Sequence, residues 1–135
     1  MPLMTWNDKY SVNIRAIDEQ HRKLFSLINE LHEAMAKGQG KEVLGRILVD
    51  LASYTVYHFS TEEKLFAAHG YPQAAEHREE HAALIKQVQE VKAEFDAGTA
   101  SLPPKVLDFL RRWLNDHILG SDAKYGPFMN SKGVK

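Results

Sequence analysis

Apolar residues recur at intervals of three and four along most of the chain, the spacing that places them on one face of an α-helix. Four such stretches predict helices at about residues 19 to 37, 41 to 67, 73 to 97 and 104 to 119. Residues 1 to 18 have no sustained period and predict an extended N-terminal arm, and residues 120 to 135 predict a short C-terminal tail. The arm carries apolar residues that we expect to lie against the body: Trp6, Tyr10, Val12, Ile14 and Ile17.

Residues that commonly begin or end helices separate these stretches. Asp18 is a favourable N-cap for the first helix, and a glycine that follows a helix ends it at little conformational cost. The predicted breaks are Gly38-Gln39-Gly40, His69-Gly70-Tyr71-Pro72, Gly98-Thr99-Ala100-Ser101 with Pro103-Pro104, and Gly120-Ser121. Because these connections are short, consecutive helices should be antiparallel. We predict an all-α fold, an up-down-up-down four-helix bundle formed by residues 1 to 135 as a single domain.

The charge of the chain is nearly balanced, with 17 Lys and Arg against 18 Asp and Glu and a formal net charge of -1. This balance argues against a nucleic-acid interface and against a basic membrane-binding face. We therefore expect partners that are small or neutral. The chain has no cysteine, which excludes disulfides, thiolate metal ligands and cysteine nucleophiles. Any metal must be held by nitrogen and oxygen atoms.

The first residues do not resemble a secretory leader, since no basic segment precedes an apolar one. The chain also has no run of about eighteen apolar residues, which argues against a membrane-spanning helix. We therefore expect a cytoplasmic protein without membrane insertion. A monomer is the default expectation, because no long apolar stripe is left over once the bundle has formed.

The candidate chemistry begins with His58 and Glu62, which are four residues apart and therefore on the same face of the second helix. Alone, this pair is a weak signal, because similar pairs occur on many solvated helix faces. The predicted topology strengthens it, because the starts of the first and third helices lie at the same end of the bundle as the ends of the second and fourth. Seven donors fall at that end: His21, His58, Glu62, His77, His81, His117 and Asp122.

Seven buried donors in one layer favour metal binding. A single histidine on an apolar face is usually a hydrogen-bonded core residue, but burying this many ionisable groups without partners would cost on the order of several kcal/mol for each charge. Seven side chains are too many for one ion. Two octahedral ions, bridged by both carboxylates and one solvent oxygen, would leave about one coordination position open. Nitrogen-rich ligation with an open position suits iron better than structural zinc, and manganese is the alternative metal.

These residues stand in motifs that match a known family. The N-terminal motifs are Trp6-Asn7, Tyr10-Ser11-Val12 and Ile17-Asp18-Glu19-Gln20-His21. They are followed in order by His58-x-x-x-Glu62, His77-x-x-x-His81, His117-x-x-x-x-Asp122 and Lys124-Tyr125. Over most of its length the sequence therefore resembles the hemerythrins and, within them, the single-domain bacteriohemerythrins. All seven ligand positions fit the pattern of that family.

The resemblance implies a centre of two non-haem iron ions with an oxo or hydroxo bridge. One iron would be held by His77, His81 and His117, and the other by His21 and His58. Glu62 and Asp122 would bridge the two irons. The open position would then be on the iron of His21 and His58, where the family binds O2 reversibly for storage, transport or delivery.

Other functions could use the same open coordination position. A di-iron oxidase, a peroxidase or a nitric-oxide-handling enzyme could employ it, but the sequence shows no extra acid or base beside the site to drive turnover. We therefore expect a binding protein rather than an enzyme. An O2 sensor that acts through a separate partner also stays open, and a carrier could serve an O2-consuming protein. Metal storage is disfavoured because such a site saturates with one pair of ions.

Apolar residues beside the donors predict a dry pocket. Most of them are expected to be ordinary core residues, and Leu114, one turn before His117, is the one we expect to protect the site from water. The two remaining histidines, His32 and His69, are interpreted as ordinary polar residues. The other apolar neighbours of the predicted site are Leu24, Phe25, Phe59 and Trp113.

Overall fold

Four long helices make up most of the computed structural model, which describes residues 3–39, 41–97 and 104–135. They are α1 (Arg15–Ala36), α2 (Lys41–His69), α3 (Ala74–Asp96) and α4 (Pro104–Asp116). Helix α1 packs against α2, α2 packs against α3, and α4 returns to pack against α1. No strand occurs in the ranges that the structure describes. The predicted all-α four-helix bundle is therefore confirmed.

The first helix begins earlier than the sequence pattern indicates. It starts at Arg15, with Ile14 as an N-cap that makes no side-chain hydrogen bond, so Asp18 is not the N-cap we predicted. Asp18 instead lies in the first turn, where one carboxylate oxygen accepts from the Val12 N–H at 2.9 Å and the other from the Ser11 hydroxyl at 2.5 Å. The carboxylate thus fixes the end of the arm against the helix rather than starting the helix itself.

The largest departure from the sequence prediction is at the end of the fourth helix. The chain does not stop at Gly120-Ser121 but continues through a π-helical segment, His117–Asp122, into a further helix, α5 (Ala123–Ser131). The predicted helix end is wrong, and the predicted tail is mostly helical. Hydrogen bonds in a π-helix join residues five apart, so the segment turns His117 and Asp122 toward the same side. A helix that ended at Gly120 would not have required a π-helical segment.

The connections between α1 and α2 and between α2 and α3 follow the prediction closely. Gly38 and Gly70 adopt φ values of +66° and +67°, which an L side chain rarely tolerates. Gly38 follows Lys37, the C-cap of α1, and Gly70 follows the last residue of α2. Helix α2 runs two residues beyond the predicted end, to His69. The predicted loop Gly98-Thr99-Ala100-Ser101 and Pro103 lie outside the described residues.

Two apolar clusters fill the interior. The larger one lies among α1 to α4, and the smaller one joins the arm, the end of α2 and α5. Gly126 allows α5 to approach the arm closely, because a Cβ at this position would lie 3.0 Å from the carbonyl oxygen of Val12. None of the described helices is long and apolar enough to cross a membrane. The smaller cluster consists of Val12, Ile14, Ile17, Phe66, Tyr71, Tyr125 and Met129.

Candidate metal centre

The helices bring all seven predicted donors into one buried layer between the two apolar clusters. None of the seven residues is more than 5% exposed, and Glu62, Asp122 and His21 are fully buried. The i and i+4 spacing on α2 and α3 aims each pair of donors to one side, and the π-helical segment does the same for the last pair. The layer consists of His21, His58, Glu62, His77, His81, His117 and Asp122.

The donors divide into two overlapping groups, each with ligand atoms within 4.8 Å of one another. One group has three imidazoles and the other has two, and both groups include Glu62 and Asp122. Two groups that share two carboxylates can hold two cations side by side, with each carboxylate able to contact both. The three-histidine group contains His77, His81 and His117, and the two-histidine group contains His21 and His58.

The shared carboxylates lie between the imidazoles of the two groups. Oδ1 of Asp122 is 2.9 Å from Nε2 of His77, and its Oδ2 is 3.1 Å from Nε2 of His21. Oε1 of Glu62 is 3.2 Å from Nε2 of His58 and 3.3 Å from Nε2 of His81. Each carboxylate therefore touches imidazoles from both groups.

These close contacts do not have the geometry of regular hydrogen bonds. Within the described chain, both oxygens of Asp122, Oε1 of Glu62 and the Nε2 atoms of four of the histidines are fully buried without a hydrogen-bond partner. Buried polar atoms without partners are costly, and so many at one point are exceptional in a folded protein. A cation at each group would satisfy them all, since imidazole nitrogen and carboxylate oxygen are ligands for divalent metals. The residues present therefore fit a pair of metal ions.

The outer nitrogen of three imidazoles is held by a residue beyond the donor layer. Gln20 lies 2.6 Å from Nδ1 of His58 through its amide oxygen. Glu63 lies 3.0 Å from Nδ1 of His81. These contacts fix the ring orientation and leave Nε2 directed at the centre of the layer.

Further contacts outside the donor layer involve residues from the C-terminal part of the chain. Glu80 lies 3.1 Å from Nδ1 of His117, and it also accepts a hydrogen bond from the Ser121 hydroxyl at 2.6 Å. The buried phenol of Tyr125 donates to Oε2 of Glu62. This bond orients the Glu62 carboxylate so that its other oxygen faces the imidazoles.

Aromatic rings cover the imidazoles on the side of the larger apolar cluster. Phe59 stacks on His81 with ring centroids 3.7 Å apart and planes 4° apart. Trp113 stacks on His117 at 4.4 Å and 16°. Leu114 is buried in the same cluster. The apolar surroundings predicted from the sequence are therefore present around the layer.

The electrostatics of the metal-free layer hold the carboxylates ionised. Burial opposes the ionisation of both Glu62 and Asp122, but the surrounding imidazoles outweigh it and lower the pKa of each carboxyl below its ordinary value. Burial likewise opposes protonation of His117, yet the Asp122 carboxylate raises the pKa of His117 to about 9. Burial, followed by the Glu62 charge, raises the pKa of the Tyr125 phenol well above its ordinary value.

Metal binding should therefore release a proton from His117 at neutral pH. Its pKa of about 9 lies above neutrality, so the metal-free ring is protonated, and a protonated imidazole cannot coordinate a cation. We expect release of about one proton or more per chain near pH 7 and a smaller release as the pH rises through about 9. Calorimetry in buffers of different ionisation enthalpy measures it. A His32→Ala control should behave as the parent, and binding without proton release would contradict this assignment.

All seven residues selected from the sequence lie in the layer, whereas His32 and His69 belong to neither group of donors. The residues that sequence reasoning missed are the partners outside the layer. Two of them, Gln20 and Tyr125, stand in the motifs that carry the family resemblance, although the sequence assigned them no role. Glu63 and Glu80 carry no such signal, because their roles depend on which helix faces are neighbours.

Comparison with known proteins agrees with this geometry. The family model for the Hemerythrin HHE cation binding domain matches residues 12–129. A bacteriohemerythrin of Stenotrophomonas maltophilia (strain R551-3) is 36% identical over 93% of this chain and 80% of its own length. A bacteriohemerythrin of Methylococcus capsulatus (strain ATCC 33009 / NCIMB 11132 / Bath) is 35% identical over 97% of this chain and its full length.

Solved structures share the fold. The crystal structure of a wild-type hemerythrin is similar with a TM-score of 0.87 and 35% identity, and it covers 93% of this chain and 96% of that one. The structure of a single-site variant gives a TM-score of 0.89 at 34% identity over 94% and 97% of the two chains.

Proposed function

The chain belongs to the hemerythrin family, and from this premise we propose that it binds O2 reversibly at a pair of iron ions, to store, carry or deliver oxygen. The observation that carries the proposal is the sharing of Glu62 and Asp122 between two groups of buried donors. In this proposal His77, His81 and His117 hold one iron, and His21 and His58 hold the other. The iron pair supplies the electrons and the open coordination position that reversible O2 binding requires.

The side chains that hold the pair supply only two carboxylates against five imidazoles. Carboxylate-rich sites in helical bundles favour higher oxidation states because they add negative charge to the metals. A nitrogen-rich set adds less negative charge, which supports reversible binding over oxidative chemistry. Tyr125 and Gln20 hold their two donors in position from outside the layer.

The apolar cluster keeps water away from the same side of the layer. A cavity of about 20 Å³ lies beside the site, lined mainly by apolar side chains that include Phe59 and Leu114. The one hydroxyl in its lining, that of Thr55, already donates its proton to the carbonyl oxygen of Leu51 at 2.7 Å. A space of this size holds about one small molecule, and its apolar walls favour O2 over water.

Leu114→Ala should shorten the time for which the reduced protein survives in air. Truncating this buried side chain enlarges the apolar cavity and admits water near the iron pair, which promotes irreversible oxidation. The variant should also lose about 2 to 5 kcal/mol of unfolding free energy, as buried Leu→Ala changes commonly do. Loss of O2-binding capacity with time measures the effect. Leu119→Ala, at an exposed leucine, is the matched control, and an unchanged rate in Leu114→Ala would contradict the protective role.

The proposed function is tested with iron-loaded protein that is reduced without air and then cycled between O2 and vacuum. We expect two irons per chain and a visible absorption change that appears with O2 and reverses in each cycle. A protein that binds iron but never responds to O2 would overturn the proposal.

An enzyme remains the second candidate because Glu63 and Glu80 place carboxylates next to two of the donor imidazoles, which the sequence did not reveal. Both carboxylates contact the outer Nδ1 atoms and therefore lie on the far side of the rings from the shared oxygens. They are poorly placed to deliver protons to bound O2, which favours a binding protein. Sustained O2 consumption in the presence of excess reductant would instead identify an oxidase or a related enzyme.

A further inference from the structure

The residues that contact the outer Nδ1 atoms of the imidazoles, called supports below, differ in charge between the two donor groups. In the three-histidine group, the Nδ1 atoms of His81 and His117 each face a carboxylate, Glu63 at 3.0 Å and Glu80 at 3.1 Å. In the two-histidine group, Nδ1 of His58 faces the neutral amide of Gln20. The remaining imidazole of that group, His21, has a buried Nδ1 without a hydrogen-bond partner in the described chain. Two anionic supports therefore stand on one side of the layer, and one neutral support stands on the other.

We propose that Glu63 and Glu80 are positioning residues that make the three-histidine position the stronger metal site, so that it fills first and empties last. This inference rests on the proposed function, in that it requires the seven donors to hold two ions. It adds to that function an order of assembly and names two residues outside the ligand set that impose it.

The physical basis is the effect of an outer carboxylate on a coordinated imidazole. A carboxylate that accepts from Nδ1–H fixes the ring tautomer, aims the Nε2 lone pair at the metal and increases its donor strength. A charged acceptor makes a stronger hydrogen bond than an amide does. Removing such a partner typically lowers metal affinity by about 10- to 100-fold. The additional imidazole of this group acts in the same direction, so an experiment must isolate the contribution of the carboxylates.

Both carboxylates are held in place although they are open to solvent. The Glu80 side chain is 45% exposed, and the hydroxyl of Ser121 donates to the oxygen that also faces His117. The Glu63 side chain is 33% exposed, and its other oxygen is 3.9 Å from Nε of Arg78. Solvent screening weakens charges in such positions, so we expect effects near the lower end of the range. For the same reason, neutralising either residue should disturb the fold little.

The test is a Co²⁺ titration of the metal-free protein without air, in competition with a chelator and followed by visible absorption. The parent should bind two ions in two resolvable steps. His58→Ala, which removes a ligand of the two-histidine position, should lose the weaker step and keep the tighter one. This variant thereby assigns each step to its position before the supports are changed.

The support variants then distinguish charge from shape. Glu63→Gln and Glu80→Gln retain the size and an acceptor oxygen, and each should weaken the tighter step by about 10-fold or more while the weaker step stays unchanged. Gln20→Leu is the matched change at the other group and should weaken only the weaker step. Circular dichroism and thermal unfolding of the metal-free variants check that each one is folded.

Several outcomes would overturn the inference. If both Gln variants bind Co²⁺ as the parent does, the charge of Glu63 and Glu80 is irrelevant and the inference is refuted. A tighter step that disappears in His58→Ala would also refute it, because the two-histidine position would then be the stronger one. Failure of the parent to bind two Co²⁺ ions would instead count against the proposed function itself. Failure of the filling order and failure of two-ion binding are therefore distinguishable.

Discussion

Glu62→Ala is expected to abolish retention of the metal pair, whereas His58→Ala should leave about one ion per chain. The two variants should differ because Glu62 and His58 lie at different places in the donor layer. Glu62 belongs to both groups of donors, with one oxygen 3.2 Å from Nε2 of His58 and 3.3 Å from Nε2 of His81. His58 belongs to the two-histidine group alone. In the proposed site, losing the shared carboxylate would remove a ligand and a negative charge from both positions, and losing the imidazole would remove a ligand from one.

The measurement is metal content per chain after loading with iron and desalting without air. Alanine at position 62 also leaves the buried Tyr125 phenol without its acceptor, so Glu62→Gln is included as a variant that retains an acceptor oxygen. It should still lose metal at both positions because the negative charge is gone. Glu79→Ala, at an exposed glutamate on α3, is the control and should retain two ions. Equal metal loss in Glu62→Gln and His58→Ala would contradict the bridging role.

Removing the metal should lower the unfolding temperature by more than most single substitutions do. A ligand that binds only the folded state stabilises it by about 4 kcal/mol when its free concentration is a thousand times its dissociation constant. For a domain of this size such a change corresponds to roughly 10 to 20 °C. The physical reason is local, since the metal-free layer contains buried oxygens and nitrogens without hydrogen-bond partners.

Thermal unfolding of the iron-loaded and chelator-treated protein, followed by circular dichroism, measures this difference. Glu62→Gln serves as the control, because it should melt at the same temperature with and without chelator. The experiment is best done near neutral pH, where the proton on His117 and the ionised carboxylates still stabilise the metal-free state. Coincident unfolding curves for the loaded and stripped parent protein would show that the layer is stable without metal.

The donor layer could be predicted from the sequence because its determinants are local. Spacings of four within α2 and α3 place His58 with Glu62 and His77 with His81, and antiparallel packing of short-looped helices brings these pairs to one end. Predicting that the donors converge requires only their residue types, the helix face on which each lies and the helix end to which each is nearest. All three can be read from the sequence. The seven donors are together for these reasons.

The features that the sequence did not reveal depend on tertiary contacts. Gly120 usually indicates a helix end, but the packing of α5 against the arm through Gly126 keeps the chain helical, and the π-helical segment absorbs the misfit. Aspartate is a favoured N-cap residue, yet Asp18 lies in the first turn of α1, where it contacts Ser11 and Val12. Local propensity was outweighed by packing at both positions.

The outer supports were missed for a related reason. Glu80 is 37 residues from His117, and Glu63 is 18 residues from His81, so no spacing rule connects either carboxylate with its imidazole. On their own helices both residues resemble ordinary solvated glutamates. Glu63 and Glu80 reach the ring nitrogens only because of the angles by which α2, α3 and the π-helical segment are rotated about their own axes. Such angles are set by side-chain packing across the whole core.

Reversible O2 binding at a pair of irons is tested by measuring O2 uptake by the reduced, iron-loaded protein, with iron determined on the same sample. We expect one O2 taken up per two irons, full recovery of that O2 under vacuum, and the same uptake on a second exposure. Absence of uptake by a protein that carries two irons, or continued consumption of O2 while reductant lasts, would contradict it.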